Sequence, residues 1–179
     1  MFEIIAVFAI LAMVGIDQLT KWLAVTYLQD GPVVLWDGVF ELRYLENDGV
    51  AWGMFGGETF RWILVAVTGA LMAGLLVILM MRKFRLSLFG KASLVLVIAG
   101  GLGNLIDRVI NGYVVDFLYF RLIDFPVFNV ADCFVVIGAF MLIVYLLFLS
   151  DGHRSPQPTA EEATQSDTAH LDGSDRQDG

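Results

Sequence analysis

Residues 62–81 read WILVAVTGALMAGLLVILMM, twenty residues without a charge or a proline. A helix rises 1.5 Å per residue, so this stretch covers about 30 Å, the thickness of a bilayer's hydrocarbon core. Three further runs have the same character. Residues 4–16 are apolar throughout, and the run continues past Asp17 to about Leu28. Residues 92–106 are uncharged and lead into Asp107 and Arg108; residues 133–150 are uncharged and follow Asn129 and Asp132. The last two reach spanning length only if those polar residues are counted in. The pattern predicts an all-α membrane protein with four transmembrane helices, at about 3–27, 61–82, 91–109 and 129–150. The first run has only Glu3 ahead of it, where a cleaved leader would carry basic residues, so it reads as a retained helix.

Composition agrees. Of 179 residues, 58% are hydrophobic and 17% charged, against about 45–50% and about 25% in ordinary soluble domains. A chain this short cannot bury that excess in a soluble core. The net charge is −8, of which residues 151–179 carry −5. That acidic balance argues against nucleic acid as a partner. The tail is poor in apolar residues and is expected to be disordered. Cys133 is the single cysteine, and both histidines, His153 and His170, lie in the tail. Histidine catalysis within the membrane body is excluded, as are a disulfide and a cysteine-based zinc site.

Basic residues orient the chain. The link between the second and third helices holds Arg82, Lys83, Arg85 and Lys91, whereas the other two links hold only Arg43 and Arg121. The positive-inside rule then puts the basic link and both termini in the cytoplasm. The first outer link alternates Phe40, Leu42 and Tyr44 with Glu41 and Arg43, between the turn signals Asp37-Gly38 and Asn47-Asp48-Gly49. This predicts a small extracytoplasmic β-platform. In the second outer link, residues 111–128, the stretch 114–120 is too apolar for a free loop and too short to span. It is expected to lie on the surface or re-enter the membrane.

Charged side chains at membrane depth are costly and are functional candidates by default. Under this topology Asp17, Lys21, Asn104, Asp107, Arg108, Asn129 and Asp132 all fall near the outer leaflet. Asn104, Asp107 and Arg108 share a helical stripe, and the pairs Asn129/Asp132 and Asp17/Lys21 stand one turn apart. Structural alternatives stand beside each. Asp17 can pair with Lys21 and Asp107 with Arg108, the asparagines can bridge helices, and Gly100, Gly101 and Gly103 can be packing residues. Cys133 suits a small core position and the tryptophans an interfacial belt. Asp116 and Asp132 have apolar neighbours and no adjacent cation. Two such carboxylates brought together would share one proton, giving a base for water and an acid for a carbonyl.

Five motifs follow in order: Asp17-Gln18-Leu19-Thr20-Lys21; Asn47-Asp48-Gly49-Val50-Ala51-Trp52; residues 100–108, GGLGNLIDR; Val114-Val115-Asp116-Phe117; and Phe128-Asn129-Val130-Ala131-Asp132. This succession, across residues 3–150, resembles the bacterial lipoprotein signal peptidases (signal peptidase II). The resemblance implies an intramembrane aspartic endopeptidase in the bacterial inner membrane, without a cofactor or metal and acting as a monomer. Its substrates would be diacylglyceryl-modified prolipoproteins, cut just before the lipid-bearing cysteine. By motif position Asp116 and Asp132 would be catalytic, with Asp17, Lys21, Asn47, Asn104, Asp107, Arg108 and Asn129 supporting them. Residues 33–55 and 111–128 would clamp the substrate, with Trp52, Phe55, Phe117 and Phe120 as apolar cover. Residues 1–150 form the peptidase domain in this reading, and the tail lies outside it.

Two other classes use some of these features. A proton-coupled transporter or channel also carries intramembrane carboxylates, but its polar residues form a path rather than meeting at one depth, and here there is no internal repeat. A membrane adaptor has no need of so many acids at that depth.

Overall fold

A computed structural model describes residues 2–49, 58–81 and 86–149 of the chain. Trp52, Phe55, Arg82, Lys83, Arg85 and the tail from residue 151 lie outside the described residues, and so do the expectations attached to them. In chain order come α1 (Phe2–Tyr27), β1 (Val33–Trp36), β2 (Phe40–Asn47), α2 (Glu58–Met80) and α3 (Leu88–Ile110). Then follow β3 (Val114–Phe120), a 3-10 turn (Arg121–Ile123), α4 (Val130–Val144) and a closing π turn (Tyr145–Leu149). Among the described residues four helices are long and apolar enough to cross a membrane, the fourth running through the π turn to Leu149.

Helix α3 is the centre of the bundle. It buries a broad face from Ser93 through Ile98 to Asp107, while α2 buries only Met72 and Leu79. The outward side chains of α1 and α2, such as Phe8, Leu11, Val67 and Leu71, are exposed and apolar. Lipid covers such faces, so helix association rests on close packing rather than on escape from water. Gly100 supplies one close approach, because a methyl group there would overlap the Ala131 carbonyl and stand 2.7 Å from Val135. Gly103 supplies another, where a methyl would lie 2.5 Å from Asp17 Oδ2. Away from the sheet, Ala6, Ile10, Leu79, Leu94, Val95, Ile98 and Ala99 make the apolar core between α1, α2 and α3.

The platform is a three-stranded antiparallel sheet in the order β1-β2-β3. Its alternating strand, β2, pairs Phe40 with Phe120 and Asn47 with Val114. Residues 114–120 therefore form the third strand of this platform rather than a re-entrant segment. They lack a strand's alternation because Val114 to Phe117 are all buried, on both faces. Val115 and Phe117 pack with Ala24 of α1 and Leu28 just beyond its end, seating the sheet on the bundle. The free edge of β3 is closed by Phe128, whose N–H donates to the Leu118 carbonyl at 3.0 Å and whose carbonyl accepts from Leu118 at 2.8 Å. That return brings the chain to Asn129 and the start of α4 alongside Asp116.

Candidate active site

The first turn of α4 is built by a reciprocal cap. Asn129 has extended backbone, and its side chain accepts the Asp132 N–H at 2.9 Å, while Asp132 Oδ2 accepts the Asn129 N–H at 3.1 Å. Such a box satisfies helix-end donors that would otherwise be orphaned. The partial positive charge of a helix N-terminus also favours a carboxylate there. Asp132 is half-buried.

Asp116 on β3 is 1% exposed. Its Oδ2 accepts an N–H from Asn47 at 2.8 Å, and its Oδ1 accepts one from Asn129 at 2.7 Å. Asn129 thus touches both carboxylates, one through its side chain and the other through its backbone. Burial pushes the Asp116 carboxyl up to about 6, with the charge of Asp132 acting in the same direction. The amide donors of Asn47 and Asn129 and the charge of Lys21 oppose this without cancelling it.

Beneath the pair lies a buried polar layer. Lys21 Nζ sits 2.9 Å from Asp17 Oδ2 and 3.0 Å from Asp107 Oδ2, and donates to Asn104 Oδ1 at 2.9 Å. Asp17 Oδ1 accepts the Ala131 N–H at 2.9 Å, and Asp107 Oδ2 accepts the Val115 N–H at 3.1 Å. Each carboxylate of this layer therefore grips the backbone one residue before an upper aspartate. Asn104 donates to Asp132 Oδ1 at 2.7 Å and accepts from Asn129 at 3.0 Å, joining the two levels.

All nine candidate residues meet in this one region, but not always as the sequence suggests. Asp17 and Lys21 do form an intrahelical ion pair. The Asp107–Arg108 pairing is replaced, since neighbours on a helix point apart, and Asp107 pairs with Lys21 instead. Arg108 Nη1 donates to the Asn104 carbonyl at 3.4 Å, and its Nε has no hydrogen-bond partner among the described residues. The guanidinium lies within electrostatic reach of Asp132, Asp116 and Asp107. Gln18 was not among the candidates, yet its amide donates to Asp107 at 2.9 Å and to the Gly103 carbonyl at 3.2 Å. Its place beside Asp17 in the first motif was the available signal. An apolar cavity of about 390 Å³ is lined by Leu23, Ala24, Leu28, Leu42 and Phe117 among others, and none of the nine candidates lines it.

A profile described as "Signal peptidase (SPase) II" matches residues 9–148. The lipoprotein signal peptidase of Clostridioides difficile is 38% identical over 146 residues, spanning 81% of this chain and 96% of that protein. The one from Gloeothece citriformis is 42% identical over 134 residues, 73% of this chain and 81% of its own. A solved bacterial membrane enzyme superposes with a TM-score of 0.72 at 28% identity, covering 85% of this chain and 93% of its own. A second gives 0.70 at 31% identity, covering 80% and 93%. With most of its length matched by profile and relatives alike, the chain belongs to the signal peptidase II family.

Proposed function

We propose that this protein is an intramembrane aspartic endopeptidase that removes the signal peptide from diacylglyceryl-modified prolipoproteins, cutting just before the lipid-bearing cysteine. Asp116 and Asp132 are its catalytic pair. The observation that carries this reading is the shared contact with Asn129, which holds a strand carboxylate and a helix-end carboxylate on one residue. Below about pH 6 the coupled pair holds one proton between them. Asp116, the more buried, is its readier holder, and Asp132 is the base.

In the reaction Asp132 takes a proton from a water held between the carboxyl groups, and the hydroxide formed adds to the scissile carbonyl carbon. Asp116 gives its proton to the carbonyl oxygen. Collapse of the tetrahedral adduct passes a proton to the leaving amine, which is that of the lipid-bearing cysteine. The guanidinium of Arg108, within electrostatic reach of Asp116 and Asp132, steadies the charge of the pair. Asp17, Lys21, Asn47, Asn104, Asp107 and Asn129 hold the pair without reacting.

The basic link between α2 and α3 supports cytoplasmic termini and a site at the outer leaflet. That is the depth at which acyl chains anchor the cysteine. The cavity beside Phe117 provides apolar cover suited to a lipid-carrying substrate. Residues 33–55 and 111–128 clamp the extended peptide. The test is cleavage of a synthetic prolipoprotein peptide by purified protein, with and without the diacylglyceryl group. The reading expects one new amino terminus, on the lipid-bearing cysteine. Equal cutting of the unmodified peptide, or cutting at another bond, contradicts it.

A further inference from the structure

Three asparagines surround the aspartate pair, and each can present either an N–H or a carbonyl oxygen to its neighbour. Which end faces a carboxylate decides whether that carboxylate is held as an anion or needs a proton. The orientation of an amide is settled by its surroundings, and a partner that can only donate leaves no choice. Asn47 Oδ1 accepts the Gly49 backbone N–H at 2.9 Å, which turns its NH2 toward Asp116. Asn129 Oδ1 accepts the Asp132 backbone N–H, which turns its NH2 toward Asp116 as well. Among the described residues Asn104 has no backbone donor in this role. Its oxygen faces Lys21 Nζ at 2.9 Å, and an ammonium group has three donors and no acceptor.

We propose that Lys21 is a positioning residue that sets the polarity of Asn104, so that an N–H rather than a carbonyl oxygen faces Asp132. Lys21 is 3% exposed and is held from both sides, by Asp17 of α1 and Asp107 of α3, so its ammonium cannot swing away. The same oxygen of Asn104 accepts from Asn129, so the orientation at one asparagine agrees with that at the other. With Lys21 in place, Asp132 Oδ1 receives the Asn104 N–H at 2.7 Å and Oδ2 receives the Asn129 backbone N–H at 3.1 Å. Both oxygens of the base are then served by donors, as an anion requires. Without the ammonium, Asn129 alone holds that orientation, and Asn104 turns more readily. A carbonyl oxygen against Asp132 is accommodated only with a proton between them, which removes the base. Lys21 touches neither carboxylate of the pair in this arrangement; it acts through Asn104.

The inference rests on the assignment of Asp116 and Asp132 as the catalytic pair. Its test is the pH dependence of kcat/KM in Lys21→Gln. Glutamine can satisfy the two carboxylates with its NH2 and offer its own oxygen to Asn104. The charged groups facing the pair are Asp17 and Lys21 from α1 and Asp107 and Arg108 from α3, so loss of the Lys21 charge alone could also move the profile. A double-mutant cycle separates the two routes. Lys21→Gln is expected to move the acidic limb up by about one pH unit, a tenfold loss below it. In an Asn104→Ala background Lys21→Gln is expected to leave the limb unmoved, because nothing remains to orient. An equal shift in both backgrounds overturns the proposal in favour of charge alone. A lowered plateau with an unmoved limb overturns it in favour of a packing role. If Lys21→Gln does not fold, Lys21→Met with Asp17→Asn, which removes one buried charge of each sign, carries the same comparison. Residual cleavage by Asp132→Asn is a different outcome and marks the catalytic assignment itself as wrong.

Discussion

Asp17 Oδ1 accepts the backbone N–H of Ala131 at 2.9 Å, tying α1 to the first turn of α4 across 114 residues of chain. The residue gripped is the one before Asp132, as Val115, gripped by Asp107, is the one before Asp116. Asp17→Ala should therefore unseat the helix end and leave Lys21 facing one carboxylate fewer. Breaking a buried pair this way costs on the order of 3–5 kcal/mol. Asp17→Asn retains an acceptor for Ala131 and should cost less. Thermal unfolding in detergent of both variants checks the order, and a milder effect of alanine than of asparagine would contradict it.

Two glycines should respond in opposite ways. A methyl at Gly103 would lie 2.5 Å from Asp17 Oδ2 and 3.2 Å from the Ala131 side chain, whereas nothing lies within 4 Å of one at Gly74. Gly103→Ala should destabilise by about 1–3 kcal/mol through overpacking and lower cleavage. Gly74→Ala should be neutral, or stabilising by up to about 1 kcal/mol from helix propensity. Unfolding temperatures of the two variants decide the matter.

Much of this arrangement was legible in the sequence. Four uncharged runs mark four helices, because lipid demands uninterrupted apolar length. The i, i+3 and i, i+4 spacing of Asn104, Asp107 and Arg108 placed them on one stripe, and β2 showed its alternation because one side of it meets solvent. Residues 114–120 hid their strand character because both faces are covered, which leaves a run with no period. The partner of Asp107 was hidden because the adjacent Arg108 is near in sequence but points elsewhere, while Lys21 is 86 positions away and 3.0 Å distant. Neither the contact of Asn129 with both aspartates nor the part played by Gln18 can be read from one-dimensional spacing.

Asp116 should leave a signature in stability. Its carboxyl titrates near 6 in the folded protein, against 3.8 for the free side chain, with burial the main cause. The folded state thus holds the proton more tightly. The stabilisation is complete below about pH 4 and is lost as pH rises through about 6. Asp116→Asn lacks this dependence. Between about pH 4 and about pH 7 the stability of the wild-type protein should fall relative to the variant by on the order of 3 kcal/mol. Parallel stability curves across that window would show that Asp116 is not shifted.

The last described helical turn is Tyr145–Leu149, and no candidate site residue lies beyond it. Removal of residues 150–179 should leave membrane insertion intact and cleavage within about twofold of the full chain. A truncated protein that inserts normally but does not cleave would give the tail a role in activity.

The central claim is that Asp116 and Asp132 act together as acid and base. Asparagine at either position keeps the side chain's shape but cannot take up or share the proton. The most direct measurement is single-turnover cleavage of a lipid-modified prolipoprotein by purified Asp116→Asn and Asp132→Asn, each first shown to be folded by its unfolding transition. The account predicts a loss on the order of 10³-fold or more for each, and no greater loss when both are combined, because the pair works as a unit. A folded variant of either kind that cleaves within about tenfold of the wild-type rate would contradict it.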